Sequence, residues 1–272
     1  MPTNFPLGHI HERLKAMKRS ILSQFLSEYL NIGEFQDYGP NGLQIEGTSS
    51  VKKIAFAVSA TADSIKKSVE WGADALIVHH GLFWKFHGPK TITGPFAKRV
   101  KPLIQNDINL FGYHLPLDAH PISGNARAIA DLIDLGSTKP FGERKGSPLG
   151  VHGHFQTEIK ASELKGRLEK VLNHPVLHAS VDSNRPIKTL GIITGGANSE
   201  WTEAKSLGLD AYLTGEMSEH DWHEAPEAGV DFYAGGHNAT ERFGVQQLQK
   251  IIGHKFSDEN LETKFFDSEN PA

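Results

Sequence analysis

Short apolar runs alternate along the chain with amphipathic stretches, and one such alternation occurs twice. Lys52-Lys53-Ile54-Ala55-Phe56 and Lys188-Thr189-Leu190-Gly191-Ile192 open the two copies. The alignment then runs without a gap to Trp71-Gly72-Ala73-Asp74-Ala75-Leu76-Ile77 and Leu207-Gly208-Leu209-Asp210-Ala211-Tyr212-Leu213. Only Lys52, Gly72, Asp74 and Ala75 match their counterparts, but the apolar positions keep step: Ile54 with Leu190, Phe56 with Ile192, Ile65 with Trp201, Trp71 with Leu207, Ile77 with Leu213. Each copy reads as strand, turn, helix, turn, strand. The helices are expected from about Asp63 to Trp71 and from about Glu200 to Leu207. Ser59, Thr61 and Ser199 suit N-caps, and Gly72 and Gly208 stand where a C-cap glycine belongs. A βαβ unit demands a right-handed crossover, which predicts a mostly parallel sheet.

The correspondence continues downstream. Ile108 to Gly112 and Val230 to Ala234 are strand-like, and each is followed by a histidine and, four residues on, an acid: His114 with Asp118, His237 with Glu241. Helices are expected next, over Ala126 to Ile133 and Val245 to Ile252. The first half carries a longer Gly/Pro-interrupted loop between Gly81 and Pro95. Two generic βαβ units can look alike by chance, but a His-x-x-x-acid motif recurring after the next strand favours duplication. Elsewhere the pattern predicts a helix from about Glu12 to Leu30, a strand at Leu43 to Ile45, a strand over Val151 to Ile159, a helix over Ser162 to Leu172 and a strand over Val176 to Val181. Leu135 to Gly150, rich in Gly, Pro, Ser and charge, reads as a linker. The expected class is therefore α/β with mixed, mostly parallel sheets. The expected domains are 1–135 and 136–272, with the C-terminal part free to pack back on the first.

Composition narrows the chemistry. Net charge is −4 and no Lys/Arg block stands out, which argues against a nucleic-acid partner. The absence of cysteine excludes disulfides, thiolate zinc sites, Cys-held iron–sulfur clusters and thiol catalysis. No stretch approaches the roughly 18 apolar residues of a membrane span. The start, MPTNFPLGHIHERLKAMKRS, lacks the apolar core of a secretory signal. A cytoplasmic location is the expectation. Phosphate-loop, dinucleotide-fold and nucleophile-elbow motifs are missing. Thr194-Gly195-Gly196-Ala197-Asn198 reads as a tight turn rather than an anion cradle. Histidine is in excess at 15 residues, most of them ordinary surface positions.

Three histidine motifs rise above that background. Ala75-Leu76-Ile77-Val78 runs into His79-His80-Gly81, at the carboxyl end of a buried strand, where open α/β sheets gather ligands. Neighbouring strand residues point to opposite faces, so the two histidines serve one site only if the strand ends there, and Gly81 permits that bend. His114-Leu115-Pro116-Leu117-Asp118 also follows an apolar strand. In Gly235-Gly236-His237-Asn238-Ala239-Thr240-Glu241, a helix beginning near His237 puts His237 and Glu241 one turn apart on one face. Each motif alone has a bland counterpart: a backbone-bonded histidine, an aspartate cap, a surface polar pair. Together they offer His79, His80, Asp118, His237 and Glu241 at strand ends on one edge. That is too many donors for a lone zinc with an open position, and it suits two divalent ions about 3.5–4 Å apart. Iron, manganese, zinc and nickel all accept such donors. Glu216, the repeat partner of His80, and His114 are candidates to move protons or to orient a ligand. His223 either lines the same cleft or faces solvent.

On these residues the chain resembles the GTP cyclohydrolase I type 2 homologues, also called Nif-three-like proteins. The match rests on Asn41-Gly42-Leu43-Gln44, His79-His80-Gly81, His114 to Asp118, Gly195-Gly196-Ala197, Thr214-Gly215-Glu216 and His237 to Arg242, in order over most of the chain. The resemblance implies two linked three-layer α/β/α domains with a dinuclear metal site in the cleft between them, and a ring-shaped homohexamer. It places the ligands at His79, His80, Asp118, His237 and Glu241, with Glu241 as a bridge. It implies a metal-dependent hydrolase with a nucleotide-like small-molecule substrate. The alternative is a non-catalytic metal-binding scaffold or regulatory partner. The chain resembles the short form, without a long insertion between the halves. Leu115 stands where many members have threonine, a change that touches no ligand.

Overall fold

The structure, a computed structural model, describes residues 16–272. The first half runs β1 (Met17–Lys18), α1 (Arg19–Tyr29), β2 (Gly42–Ile45), β3 (Ser50–Val51), β4 (Lys53–Ser59), α2 (Ala62–Trp71), β5 (Ala75–His80), α3 (Gly94–Gln105), β6 (Asn109–Gly112), the single turn α4 (Leu115–Asp118) and α5 (Asn125–Leu132). The second continues with β7 (Gly136–Arg144), β8 (Ser147–Lys160), α6 (Ala161–Leu172), β9 (Leu177–Ala179), β10 (Pro186–Ile192), α7 (Trp201–Ser206), β11 (Ala211–Thr214), α8 (Asp221–Glu227), β12 (Asp231–Ala234), α9 (His237–Lys255) and β13 (Glu262–Phe265). The part of the expected N-terminal helix before residue 16 lies outside the described residues.

Both expected strand–helix–strand units form, and they form alike. Ile54 stands opposite Ala75 and Leu190 opposite Ala211, then Ala75 opposite Asn109 and Ala211 opposite Asp231. One of the four shared residues shows why. Asp74 Oδ2 accepts the backbone N–H groups of Lys52 and Lys53, and Asp210 Oδ2 accepts those of Lys188 and Thr189, at 2.7–2.9 Å. Each aspartate thus satisfies the start of the strand beside it. Thr61 caps α2 in a reciprocal pair with Ser64, and Gly72 ends that helix with φ 72°.

The first sheet has the order β13-β4-β5-β6-β2, parallel except for β2. The second has the order β7-β8-β10-β11-β12-β9. There only β10, β11 and β12 run parallel, while the other three pairings are antiparallel, so this sheet departs from the mostly parallel expectation. Two of these pairings join expected strands, Val151 to Ile159 beside β10 and β9 beside β12, and the third lies in the stretch expected to be a linker. Leu135 to Gly150 is mostly a hairpin, turned by Lys145 (φ 51°) and Gly146 (φ 82°), the left-handed pair that a two-residue hairpin turn requires. Pro140 is tolerated because β7 is an edge strand. Helices α3 and α8 were not expected; each contains a proline, Pro102 and Pro226.

Strand alternation gives each sheet two buried faces. In β4, Ile54 and Phe56 point to one side and Ala55 and Ala57 to the other. The second set packs under α2 and α3 through Ile65, Val100 and Leu103. The first set packs under α1, through Leu22 and Leu26, and also under α9, through Val245, Leu248 and Ile252. Conversely, Ala126, Ile129 and Ala130 of α5 lie in the core over Leu190, Ile192 and Tyr233 of the second sheet. The helix after each sheet therefore covers the other sheet. No helix among the described residues is long and apolar enough to cross a membrane.

Candidate metal centre

The parallel strands of both sheets deliver their carboxyl ends to one place. His79 and His80 end β5, His114 and Asp118 flank the turn after β6, and His237 and Glu241 open α9 after β12. Glu241 is 3% exposed and His79 0%. Glu241 Oε2 lies 3.2 Å from His80 Nε2 and 3.1 Å from His237 Nε2, while Oε1 lies 3.5 Å from His79 Nε2. Asp118 Oδ2 lies 3.5 Å from the same His79 nitrogen. The donor atoms of His79, Asp118 and Glu241 lie within 4.8 Å of one another, as do those of His80, His237 and Glu241. All five sequence-predicted ligands are thus brought together.

The far side of each imidazole is occupied. His79 Nδ1 meets the Tyr113 carbonyl oxygen at 2.9 Å, His80 Nδ1 the Ser59 hydroxyl at 3.0 Å, and His237 Nδ1 a Glu216 carboxylate oxygen at 2.5 Å. This leaves the three Nε2 atoms directed at the carboxylates. Asp118 is held by Asn125, whose amide donates to Oδ1 at 2.9 Å. Two glycines keep the space. A Cβ on Gly195 (φ 71°) would fall 2.1 Å from Glu241 Oε1, and one on Gly81 would fall 2.3 Å from the Gln44 amide. Gln44 in turn accepts from Leu82 N.

Charge follows from this packing. Burial opposes protonation of His79, but Asp118 and Glu241 overrule it and hold its pKa up at about 10. His237 is raised to about 9 against burial, through Glu241 and Glu216. His80 is lowered to about 3: loss of solvent comes first, and repulsion from His79, His114 and His237 offsets the pull of Glu241. The surrounding imidazoles keep Glu241 ionised well below the usual carboxylate range despite its burial. Burial lifts Asp118.

Of the two residues expected to handle protons, Glu216 is the partner of His237 Nδ1 and half exposed, and His114 stands 5.0 Å, ring to ring, from His79. His223 faces solvent beside Glu219. Sequence reasoning missed Asp37, a buried carboxylate that binds His114 Nδ1 at 2.8 Å and the Leu115 N–H at 2.8 Å. The one local hint was its place just before the Asn41-Gly42-Leu43-Gln44 motif. A cavity of about 360 Å³ opens over the cluster. Its walls include the rings of Tyr38, Trp84 and Phe86 and the Arg144 side chain. A larger cleft of about 800 Å³ lies on the other side of Glu216, along the C-terminal tail.

The donor set fits divalent ions. Two donors each about 2.1 Å from one tetrahedral ion stand roughly 3.4 Å apart, close to the 3.1–3.5 Å separations between facing nitrogens and oxygens here. His79 Nε2 and Glu241 Oε2 are buried with no hydrogen-bond partner. A buried polar atom left so costs free energy unless something else satisfies it.

Fold and site together define a mixed α/β protein with an imidazole–carboxylate cluster able to hold a metal. The profile of the Duf34/NIF3 (NGG1p interacting factor 3) family matches residues 17–271, and the chain belongs to that family. An Escherichia coli K12 protein called GTP cyclohydrolase 1 type 2 homolog is 41% identical over 94% of this chain and 100% of its own. A Pasteurella multocida protein of the same name is 41% identical over 92% of this chain and 98% of its own. Among solved structures, protein ybgI, described as of unknown function, superposes with a TM-score of 0.87 at 39% identity, covering 94% of this chain and 100% of that one. TTHA1606 from Thermus thermophilus gives 0.81 at 31% identity, again over 94% and 100%.

Proposed function

We propose that His79, His80, Asp118, His237 and Glu241 hold two divalent metal ions in a cytoplasmic metal-dependent hydrolase acting on a nucleotide-like substrate. The observation that carries the reading is Glu241. One of its oxygens faces His79 and the other faces both His80 and His237, the disposition of a carboxylate shared between two ions. The relatives named GTP cyclohydrolase 1 type 2 homolog support the reaction class. So does the cavity, where Tyr38, Trp84 and Phe86 offer faces to a planar ring and Arg144, paired with Glu200, offers a cation at the wall.

The ions would supply Lewis acidity and water of lowered pKa at neutral pH. The chain's own part is to hold and orient. Tyr113 and Glu216 fix the rings of His79 and His237 through Nδ1, and Asn125 fixes Asp118. Glu216 keeps its second oxygen available for a proton, while His114 offers only Nε2 because Asp37 takes Nδ1. The reading extends to two duplicated α/β/α domains meeting at the cluster, each with its own sheet, and to assembly as a homohexamer.

Metal-loaded protein, assayed against a panel of nucleotides and phosphoesters, is expected to turn over at least one of them, and His79→Ala and Glu241→Ala to lose that turnover. Activity equal to wild type in both variants rejects the assignment. The deep burial of His79 and Glu241 favours one second reading, in which the ions serve as a tie between the halves of a scaffold protein. In that case chelation lowers the melting temperature and the panel yields no reaction.

A further inference from the structure

Four imidazoles meet at the cluster, and the proposed ligand set uses three of them. The fourth, His114, has its donor nitrogen within 4.8 Å of those of His79 and His80. Its ring centroid lies 5.0 Å from that of His79 and 5.7 Å from that of His80.

His114 is held as firmly as the other three. Its backbone N–H donates to Asn41 Oδ1 at 2.9 Å, and its Nδ1 meets Asp37 Oδ1 at 2.8 Å. Asp37 is buried and itself held by the Asn41 amide and the Leu115 N–H at 2.9 and 2.8 Å. Its Oδ1 also takes the Tyr38 N–H at 2.6 Å, so each of its other described neighbours is a donor and the carboxylate acts as the acceptor. Nδ1 of His114 therefore carries the hydrogen, and Nε2 is left with a lone pair. Nε2 has no hydrogen bond to any other described residue, and the ring lines the cavity over the cluster. Trp84 meets the ring edge-on at 5.0 Å and limits its rotation. A carboxylate on one imidazole nitrogen and a free lone pair on the other is the arrangement that metal-binding histidines show.

We propose that His114 Nε2 is a further metal donor of this centre, oriented by Asp37, so that one ion is held by an imidazole from each of β5 and the turn after β6. The inference rests on the reading that the cluster binds metal. It assigns to Asp37 a positioning role that acts only through His114. It also leaves Glu216 as the side chain free to accept a proton at the cluster.

The test uses the full chain with zinc as the probe, added to protein carrying ¹⁵N-labelled histidine. Zinc titration is expected to move the ¹⁵Nε2 resonance of four histidines into the metal-bound range, with the fourth assigned to His114 by its loss in His114→Gln. Asp37→Asn is expected to weaken zinc binding about 10- to 100-fold, the range for removing a carboxylate behind a ligating histidine. The effect in Asp37→Asn should vanish in the His114→Gln background, which a general loss of structure would not produce. If zinc moves three histidines and leaves His114 Nε2 unchanged in wild type, this assignment is overturned while the metal reading stands. If zinc moves none, the metal reading fails first. If His114→Gln does not fold, the His114 ring resonances are assigned in wild type through their correlation to its backbone amide, so the wild-type titration still decides.

Discussion

At the scale of single residues, Glu241 is the pivot of the cluster, because both its oxygens face histidine nitrogens. Glu241→Gln keeps the shape and removes the charge. Metal content after dialysis is expected to fall from two ions per chain to one or none, measured by elemental analysis. Gly195→Ala forces a left-handed residue to carry a Cβ, at a cost of about 1–2 kcal/mol, and drives that Cβ into Glu241 Oε1. It should lower both the melting temperature and metal affinity, and a change in stability alone would show that Glu241 adapts. The cluster also dictates a pH dependence. In metal-free protein His79 and His237 titrate near 10 and 9, above the ordinary histidine value of about 6.5. Their ion pairs therefore stabilise the metal-free fold fully below about pH 6.5, and that stabilisation is lost as pH rises through 9 to 10. Metal must displace those protons, so apparent affinity should climb from pH 6 to 9. Calorimetry at pH 7.5 in buffers of different ionisation enthalpy should register proton release; no release would contradict the raised values. The five clustered residues proposed as ligands were legible in the sequence because each pairs a chemistry-bearing residue with a strand end or a helix spacing. Asp37 was not, since its partner His114 is 77 positions away and only the folded chain brings them together.

At the scale of elements, the repeated strand–helix–strand unit was readable from apolar periodicity and from Gly72, Gly208, Asp74 and Asp210, whose roles are local. The hairpin of β7 and β8 was not, because the glycine, proline and serine that suggest a linker are also what a two-residue turn and an edge strand tolerate. Helices α3 and α8 were hidden by internal prolines, which weaken the helical pattern. The docking of α9 was readable only in part: a helix beginning near His237 was expected, and the C-terminal part was left free to pack back on the first domain. Its apolar face and the pairing of His237 with Glu241 in its opening turn are visible in sequence, but nothing local fixes that face on the first sheet. Leu248→Ala, in the core of that contact, is expected to cost about 2–5 kcal/mol. Because the same helix carries two of the proposed ligands, metal affinity is expected to fall along with stability in denaturant titrations. An equal loss of stability with unchanged affinity would separate the two ends of α9.

At the scale of the whole molecule, the two halves depend on each other. A fragment ending at residue 135 keeps four strands of the first sheet and loses β13 and α9, exposing Phe56 and Phe111. The complementary fragment loses α5 from over Leu190 and Ile192. Neither is expected to show a cooperative thermal transition by circular dichroism, whereas the full chain should unfold in one step; a sharp transition in either fragment would refute the interdependence. Metal removal acts at the same scale. With free metal at 100 times its dissociation constant, binding stabilises the fold by about 2.7 kcal/mol. A chelator should then lower the melting temperature by roughly 5–10 °C.

The exchange of helices also bears on how the chain is made. Synthesis proceeds at about 5–20 residues per second, so the roughly 140 residues from the end of β6 to the end of α9 emerge over some 7–30 s. For that interval the newborn first sheet has only α1 over the face that α9 will later share. A ribosome making this protein therefore displays a half-covered apolar sheet for long enough to engage holding chaperones.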